Sequence, residues 1–211
     1  MTPDIPRRGT PSATPQPIGI GDLEEAYLKR SIDELTDLQS ELSHLGDGDA
    51  EELPVHPSGS PQAEIFMLKW ASSLAERQEG VAFFGRAGSA VLKSVQRLGI
   101  DPLLLYGTLC AKRSDWDQRS ALPWVERELQ IVRPKLVVVM GEDALATMNA
   151  LDYPLAAPLA AEVGTIQQWT PTIEAILVPD IDQSLDEQHA KRAFWAAFRA
   201  IGEWFAAQPP Y

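Results

Sequence analysis

The hydrophobic positions of the chain fall into three stretches with different periods. Residues 1–20, MTPDIPRRGTPSATPQPIGI, hold five prolines among Thr and Ser and show no period, which predicts a disordered tail. From Asp22 the pattern becomes helical: Leu28, Leu35 and Leu42 recur every seven residues, as do Leu38 and Leu45, so one helix with a leucine stripe is predicted over residues 22–45, capped by Asp22. The heptads are too few to specify a coiled coil. The stripe fits a helix docked on its own domain, or one offered to a partner. Residues 46–61, GDGDAEELPVHPSGSP, read as an acidic, turn-rich linker.

From Ala63 short apolar runs alternate with amphipathic segments. The runs AEIFMLKW (63–70), LLLYGTL (103–109), KLVVVMG (135–141) and EAILVP (174–179) predict strands, with GTIQQW (164–169) as an edge strand. Between them, residues 88–98 place Ala90, Val91, Val95 and Leu98 on one face, and residues 122–132 do the same with Leu122, Val125, Leu129 and Val132. A short helix is expected after Gly141, and a last one over residues 185–206, whose Phe194, Phe198, Ile201 and Trp204 form a core-facing stripe. This alternation predicts an α/β fold, a three-layer sandwich whose central, mostly parallel sheet is flanked by helices. The domain organisation is then a tail (1–20), a helix with its linker (21–61) and the α/β domain (62–211). Ligands of open sheets lie beyond the carboxyl ends of the strands, so the informative residues follow Leu68, Thr108, Val139 and Val178.

Composition narrows the function classes. A single cysteine, Cys110, excludes an internal disulfide, and no His/Cys spacing suits a zinc or iron–sulfur site. Lying in an apolar run with no histidine near it, Cys110 reads as a small buried hydrophobe. No stretch is apolar for long enough to span a bilayer and the N-terminus does not read as a secretory leader, so a cytoplasmic protein with no membrane partner is expected. The formal net charge of −12 argues against general affinity for nucleic acid. That charge is uneven: residues 1–62 carry twelve Asp/Glu against four Lys/Arg, leaving a mildly acidic body. Lys112, Arg113 and Arg119 read as a solvated basic strip, or as one that meets phosphate. His44, His56 and His189 have no evident catalytic partner and read as surface residues.

Three segments carry a resemblance. GVAFFGRAGSAVLKSVQRLGID (80–101), LLLYGTLCAKRSD (103–115) and WVERELQIVRPKLVVVMGEDALATM (124–148) occur in the order found in uracil-DNA glycosylases of the bacterial and archaeal iron–sulfur type. That family has Gly-Arg-Pro-Phe-Val-Gly-Arg-Ala-Gly before a helix, then a strand ending in Thr-Asn, then a helix leading into Ile-Arg-Pro-Lys-Val. Residues 63–200 resemble it. The resemblance implies that Phe83 matches the aromatic residue on which uracil stacks, with a plain core aromatic as the alternative. It also implies that Gly85, Arg86 and Gly88 match the turn where backbone and helix amides approach an anion.

The residues that the reaction requires are replaced. Cleaving an N-glycosidic bond needs a positioned water and stabilisation of charge on the departing base. Where the family has Gly-Glu-Ala-Pro-Gly, this chain has Lys69, Trp70, Ala71, Ser72 and Ser73; Leu109 stands in place of the Asn that reads uracil, and Asp182 in place of the histidine that stabilises the uracil anion. A carboxylate there repels the developing anion, although a rebuilt site could use Asp182 as a base. Asp180, Asp182 and Asp186 read as a capping turn or a weak metal motif, and the cluster cysteines are missing, so no iron–sulfur cofactor is expected. Two functions follow. One is a non-catalytic scaffold that contacts protein through its acidic tail, its leucine-striped helix and Trp70, with Trp116 and Trp124 adding to that surface and packing as the alternative for Trp124, beside repair or replication machinery. The other is a divergent glycosylase or nucleobase hydrolase using Phe83, Ser72 and Asp182. A third, DNA binding without chemistry through Arg86, Lys112 and Arg113, conflicts with the acidity.

Overall fold

The computed structural model describes residues 20–45 and 52–209. The tail over residues 1–19 and the first part of the expected linker, residues 46–51, lie outside the described residues. The first element is α1 (Ile20–His44), which begins two residues before Asp22, so that Asp22 sits in the first turn instead of capping it. Leu35, Leu38 and Leu42 are buried, Leu28 is half-buried and Leu45 is exposed. The leucine stripe therefore docks α1 on its own domain, on α4 (Gln118–Val132), where Arg127 grips Glu41 with two hydrogen bonds of 2.6 and 2.9 Å.

The linker assignment fails from Glu52 onward. Pro54, Val55 and Pro57 are buried, the Val55 amide donates to the Lys112 carbonyl at 2.8 Å, and β1 (Ser58–Gly59) pairs with the sheet edge. Turn-forming residues do not exclude pairing on an edge strand, where one row of backbone groups faces solvent.

Among the described residues six strands form one sheet in the order β1-β3-β2-β4-β6-β5. Its four central members, β2 (Ile65–Lys69), β3 (Leu105–Leu109), β4 (Leu136–Met140) and β6 (Glu174–Val178), are parallel; β1 and β5 (Ile166–Gln168) are antiparallel edges. Near-continuous Val/Ile/Leu runs are what strands buried on both faces require. The expected strand at 103–109 loses its start because Asp101 caps a 3-10 turn at Pro102–Leu104.

Alternation along each strand sorts the core into two layers. Phe66, Leu68, Tyr106, Val137 and Val139 pack under α1, α4 and α5 (Glu142–Ala150). Ile65, Met67, Leu105, Val138 and Met140 pack under α3 (Arg86–Arg97), α6 (Ile181–Ser184) and α7 (Gln188–Ala206). The result is an α/β fold with helices on both faces of a mostly parallel sheet. Two helix limits depart from the apolar pattern. Asp117 accepts from Ser120 N and starts α4 four residues before Leu122. The last helix, expected from residue 185, begins at Gln188, and a short helix that was not expected, α6, capped by Asp180, precedes it. Among the described residues no helix is long and apolar enough to cross a membrane.

Candidate functional site

The register places Lys69, Leu109, Met140 and Val178 level with one another at the carboxyl ends of the four parallel strands. Lys69 closes an otherwise apolar strand and is wholly buried. An ammonium cannot remain there unpaired, since burial of a lone charge is prohibitive. Its Nζ donates to Glu76 Oε2 at 2.7 Å and to Asp182 Oδ2 at 2.5 Å, and lies 5.6 Å from the centroid of the Phe83 ring. Glu76, buried in α2 (Leu74–Glu79), also accepts from Ser73 N at 2.7 Å, Ser73 Oγ at 2.9 Å and Phe83 N at 2.6 Å. One carboxylate thus ties the end of β2, the start of α2 and the turn before α3.

That turn is strained. Phe83 has φ 58, a conformation costing a non-glycine residue about 1–3 kcal/mol, and its surroundings enforce it. A Cβ on Gly88 would lie 1.6 Å from the Phe83 carbonyl oxygen, and one on Gly107 would lie 2.6 Å from its ring. The Gly-Arg-Ala-Gly segment therefore has a packing reason: Gly85 takes φ 79 and Gly88 lets the chain close on Phe83. Arg86 is exposed and pairs with Asp186 at 2.9 Å.

The other expected site residues do not share one cavity. Trp70 packs half-buried against the core beneath α4, on the opposite face of the sheet from Lys69. Ser72 accepts from Arg77 Nη1 through its carbonyl at 3.0 Å. Leu109 is sealed beside Val55, Ala82 and Phe83. Phe83 lines a crevice of about 200 Å³ with Met67, Val91 and Leu105, from which Trp70, Ser72 and Asp182 are absent. The three carboxylates expected as a capping turn or metal motif part ways: Asp180 caps α6 through Gln183 N at 3.0 Å, Asp182 holds Lys69, and Asp186 holds Arg86. Burial, with the charge of Asp182 adding, raises the Asp180 carboxyl above its ordinary range.

The basic strip also dissolves. Lys112 is wholly buried, donating to Thr108 Oγ1 and to Glu128 Oε1 at 2.7 Å, while Arg113 makes a two-pronged contact of 2.9 Å per bond with Asp115. Around this pair, burial and then the charge of Glu128 push the Tyr106 hydroxyl well above its usual value, and burial raises the Cys110 thiol to about 12, so Cys110 is an inert thiol. His56 is half-buried and not the surface residue its setting suggested; its ring Nδ1 has no partner among the described residues, and burial followed by the Lys112 charge lowers its pKa. Trp116 and Trp124 lean on each other at 5.8 Å, with Arg127 over Trp124.

Neither buried ion pair was foreseen in the sequence. The one signal for the first was a lysine ending an apolar run, which in a strand buried on both faces demands a carboxylate. Chemically, the cluster at the strand ends is a self-satisfied plug: its ammonium is clamped by two carboxylates, and only Asp182, with 34% side-chain exposure, meets solvent. The chain matches no protein-family model and no curated protein.

Proposed function

We propose that this chain is a uracil-DNA glycosylase-like scaffold that does not cleave glycosidic bonds and acts by binding protein, beside DNA repair or replication machinery. The observation that carries this reading is the Lys69 ammonium lying over Phe83, the ring on which the resemblance would stack a base, held there by Glu76 and Asp182. A base entering that place has to displace a buried ion cluster. The carboxylate that could activate water is occupied by Lys69 instead. Helices on both faces of a mostly parallel sheet, and the glycine-closed turn at Phe83, are the architecture the resemblance implies.

Uracil release from single- and double-stranded oligonucleotides tests the reading, with Phe83→Ala and Asp182→Ala run beside the wild type. No release is expected from any of them. Release by the wild type that both substitutions abolish would make Asp182 a catalytic base in a rebuilt site and overturn the proposal.

A further inference from the structure

The end of the sheet opposite the plug carries a groove of about 770 Å³, within the roughly 300–1,000 Å³ of small-molecule sites. Three segments build it: the Arg133-Pro134-Lys135 turn between α4 and β4, the loop over residues 153–155 after α5, and the turn over residues 170–173 that joins β5 to β6. Arg133 precedes β4 and Thr172 precedes β6, so the groove lies at the amino ends of the parallel strands. The five residues of β4, at about 3.3 Å each, separate it from the level of Lys69.

Its polar lining offers donors. Arg133 is exposed and spends Nε on the Gln130 carbonyl at 3.1 Å, while its two terminal nitrogens meet no carboxylate among the described residues. Thr170 is 5% exposed, and its hydroxyl oxygen accepts from Ile173 N at 3.0 Å and Thr172 N at 3.3 Å. That leaves its proton to donate, and no acceptor meets it among the described residues, although a buried donor requires one. No Asp or Glu lines the groove. Of the carboxylates nearby, Glu64 pairs with Lys135 at 3.2 Å, and Glu126, whose charge reaches Tyr153, accepts from Gln130 Nε2 at 2.9 Å. A groove lined by cations and hydroxyls, in a chain of net charge −12, selects an anion. The remaining lining is apolar: the Tyr153 ring, lying on Trp169 with centroids 4.7 Å apart, forms a flat wall, and Leu155 stands 80% exposed beside it. Two non-glycine residues of the groove take left-handed backbone angles, Arg133 at φ 51 and Leu155 at φ 61, and strain of this kind gathers at ligand sites.

We infer that this groove binds a small organic anion, a carboxylate or phosphate joined to a flat apolar body. The oxyanion takes the planar fork of Arg133, with the Thr170 hydroxyl as a further donor, and the body lies against Tyr153 and Leu155. The site stands apart from the plug and does not depend on the reading of the chain as a protein-binding scaffold.

Titration of the full chain with phenyl phosphate and with benzoate in dilute buffer, followed by backbone amide shifts, tests it. At least one of the two is expected to bind with a Kd of about 1 mM or tighter, with the shifts centred on Arg133 and residues 170–173. Inorganic phosphate, which lacks the body, and phenol, which lacks the charge, each bind at least about tenfold more weakly. Arg133→Gly removes the fork and gives the left-handed helix cap the residue it favours, so this variant melts no lower than the wild type and loses at least about tenfold in affinity. Leu155→Gly likewise relieves its backbone angle and weakens the same ligand. No binding of either anion below about 10 mM, phenol held as tightly as the anions, or full affinity in Arg133→Gly overturns the inference. So do shifts that fall around Lys93 and Arg97 of α3 instead of this groove. None of these outcomes touches the non-catalytic reading, which uracil release alone decides.

Discussion

Lys69 and Lys112 stand at the carboxyl ends of neighbouring parallel strands, are both wholly buried, and serve opposite faces of one sheet. Their surroundings differ in charge and in access. Lys112 meets a single carboxylate, Glu128, itself 1% exposed, plus the hydroxyl of Thr108, so that pair is neutral and sealed. Lys69 meets two carboxylates, one sealed and one at the surface, and the aromatic ring of Phe83. The first arrangement is a strut that pins α4 to β3. The second is a plug, standing where an open α/β sheet would hold its ligand.

Removing one partner separates the two by magnitude. Lys112→Met leaves Glu128 buried without compensation and is expected to cost about 3–5 kcal/mol in urea-induced unfolding, whereas Lys112→Met with Glu128→Leu together should recover most of that loss. Lys69→Met leaves Glu76 with three other donors, so the expected loss is smaller, about 1.5–3 kcal/mol, the range of one hydrogen bond to a charged group. Asp182→Asn, at the solvent-facing end of the plug, should cost less than about 1 kcal/mol by the same measurement. A larger loss at Asp182 than at Lys112 would reverse the distinction between strut and plug.

The smallest effect reports on the strut through its neighbour. Burial, then the Lys112 charge, keeps the folded His56 below its ordinary pKa, so the unfolded chain takes up a proton first as pH falls. The stability held by neutral His56 is complete above about pH 6.5 and is lost as pH drops from there through the folded pKa. Unfolding free energies of wild type and His56→Gln, compared at about pH 7.5 and about pH 5.5, should show the wild type losing ground to the variant at the lower value. An unchanged gap would mean that His56 is not held neutral beside Lys112.

Much of the framework was legible along the chain. The runs that became β2, β3, β4 and β6 each lie within the expected segments, and the stripe of α7 packs Phe194, Phe198, Ile201 and Trp204 as its spacing requires. The misreadings were of residues whose neighbours are distant. Lys112 resembles a loop cation until Glu128 is brought beneath it. Trp70, which stands in a segment that the resemblance ties to the reaction and reads as a protein contact, packs half-buried against the core beneath α4. The break between α6 and α7, which sets Asp182 against Lys69, is written in no periodicity.

The sequence by itself determined the four parallel strands, the longer helices beside them and the glycines that let Phe83 sit in its strained turn, because periodicity and backbone sterics act over a few residues. Only the tertiary structure decided that Lys69 meets Asp182, 113 positions away, and that Phe83 has an ammonium over its ring. The pairing of a buried charge depends on the dielectric and on partners created by the whole packed chain, and neither exists until the sheet and its two helical layers have closed.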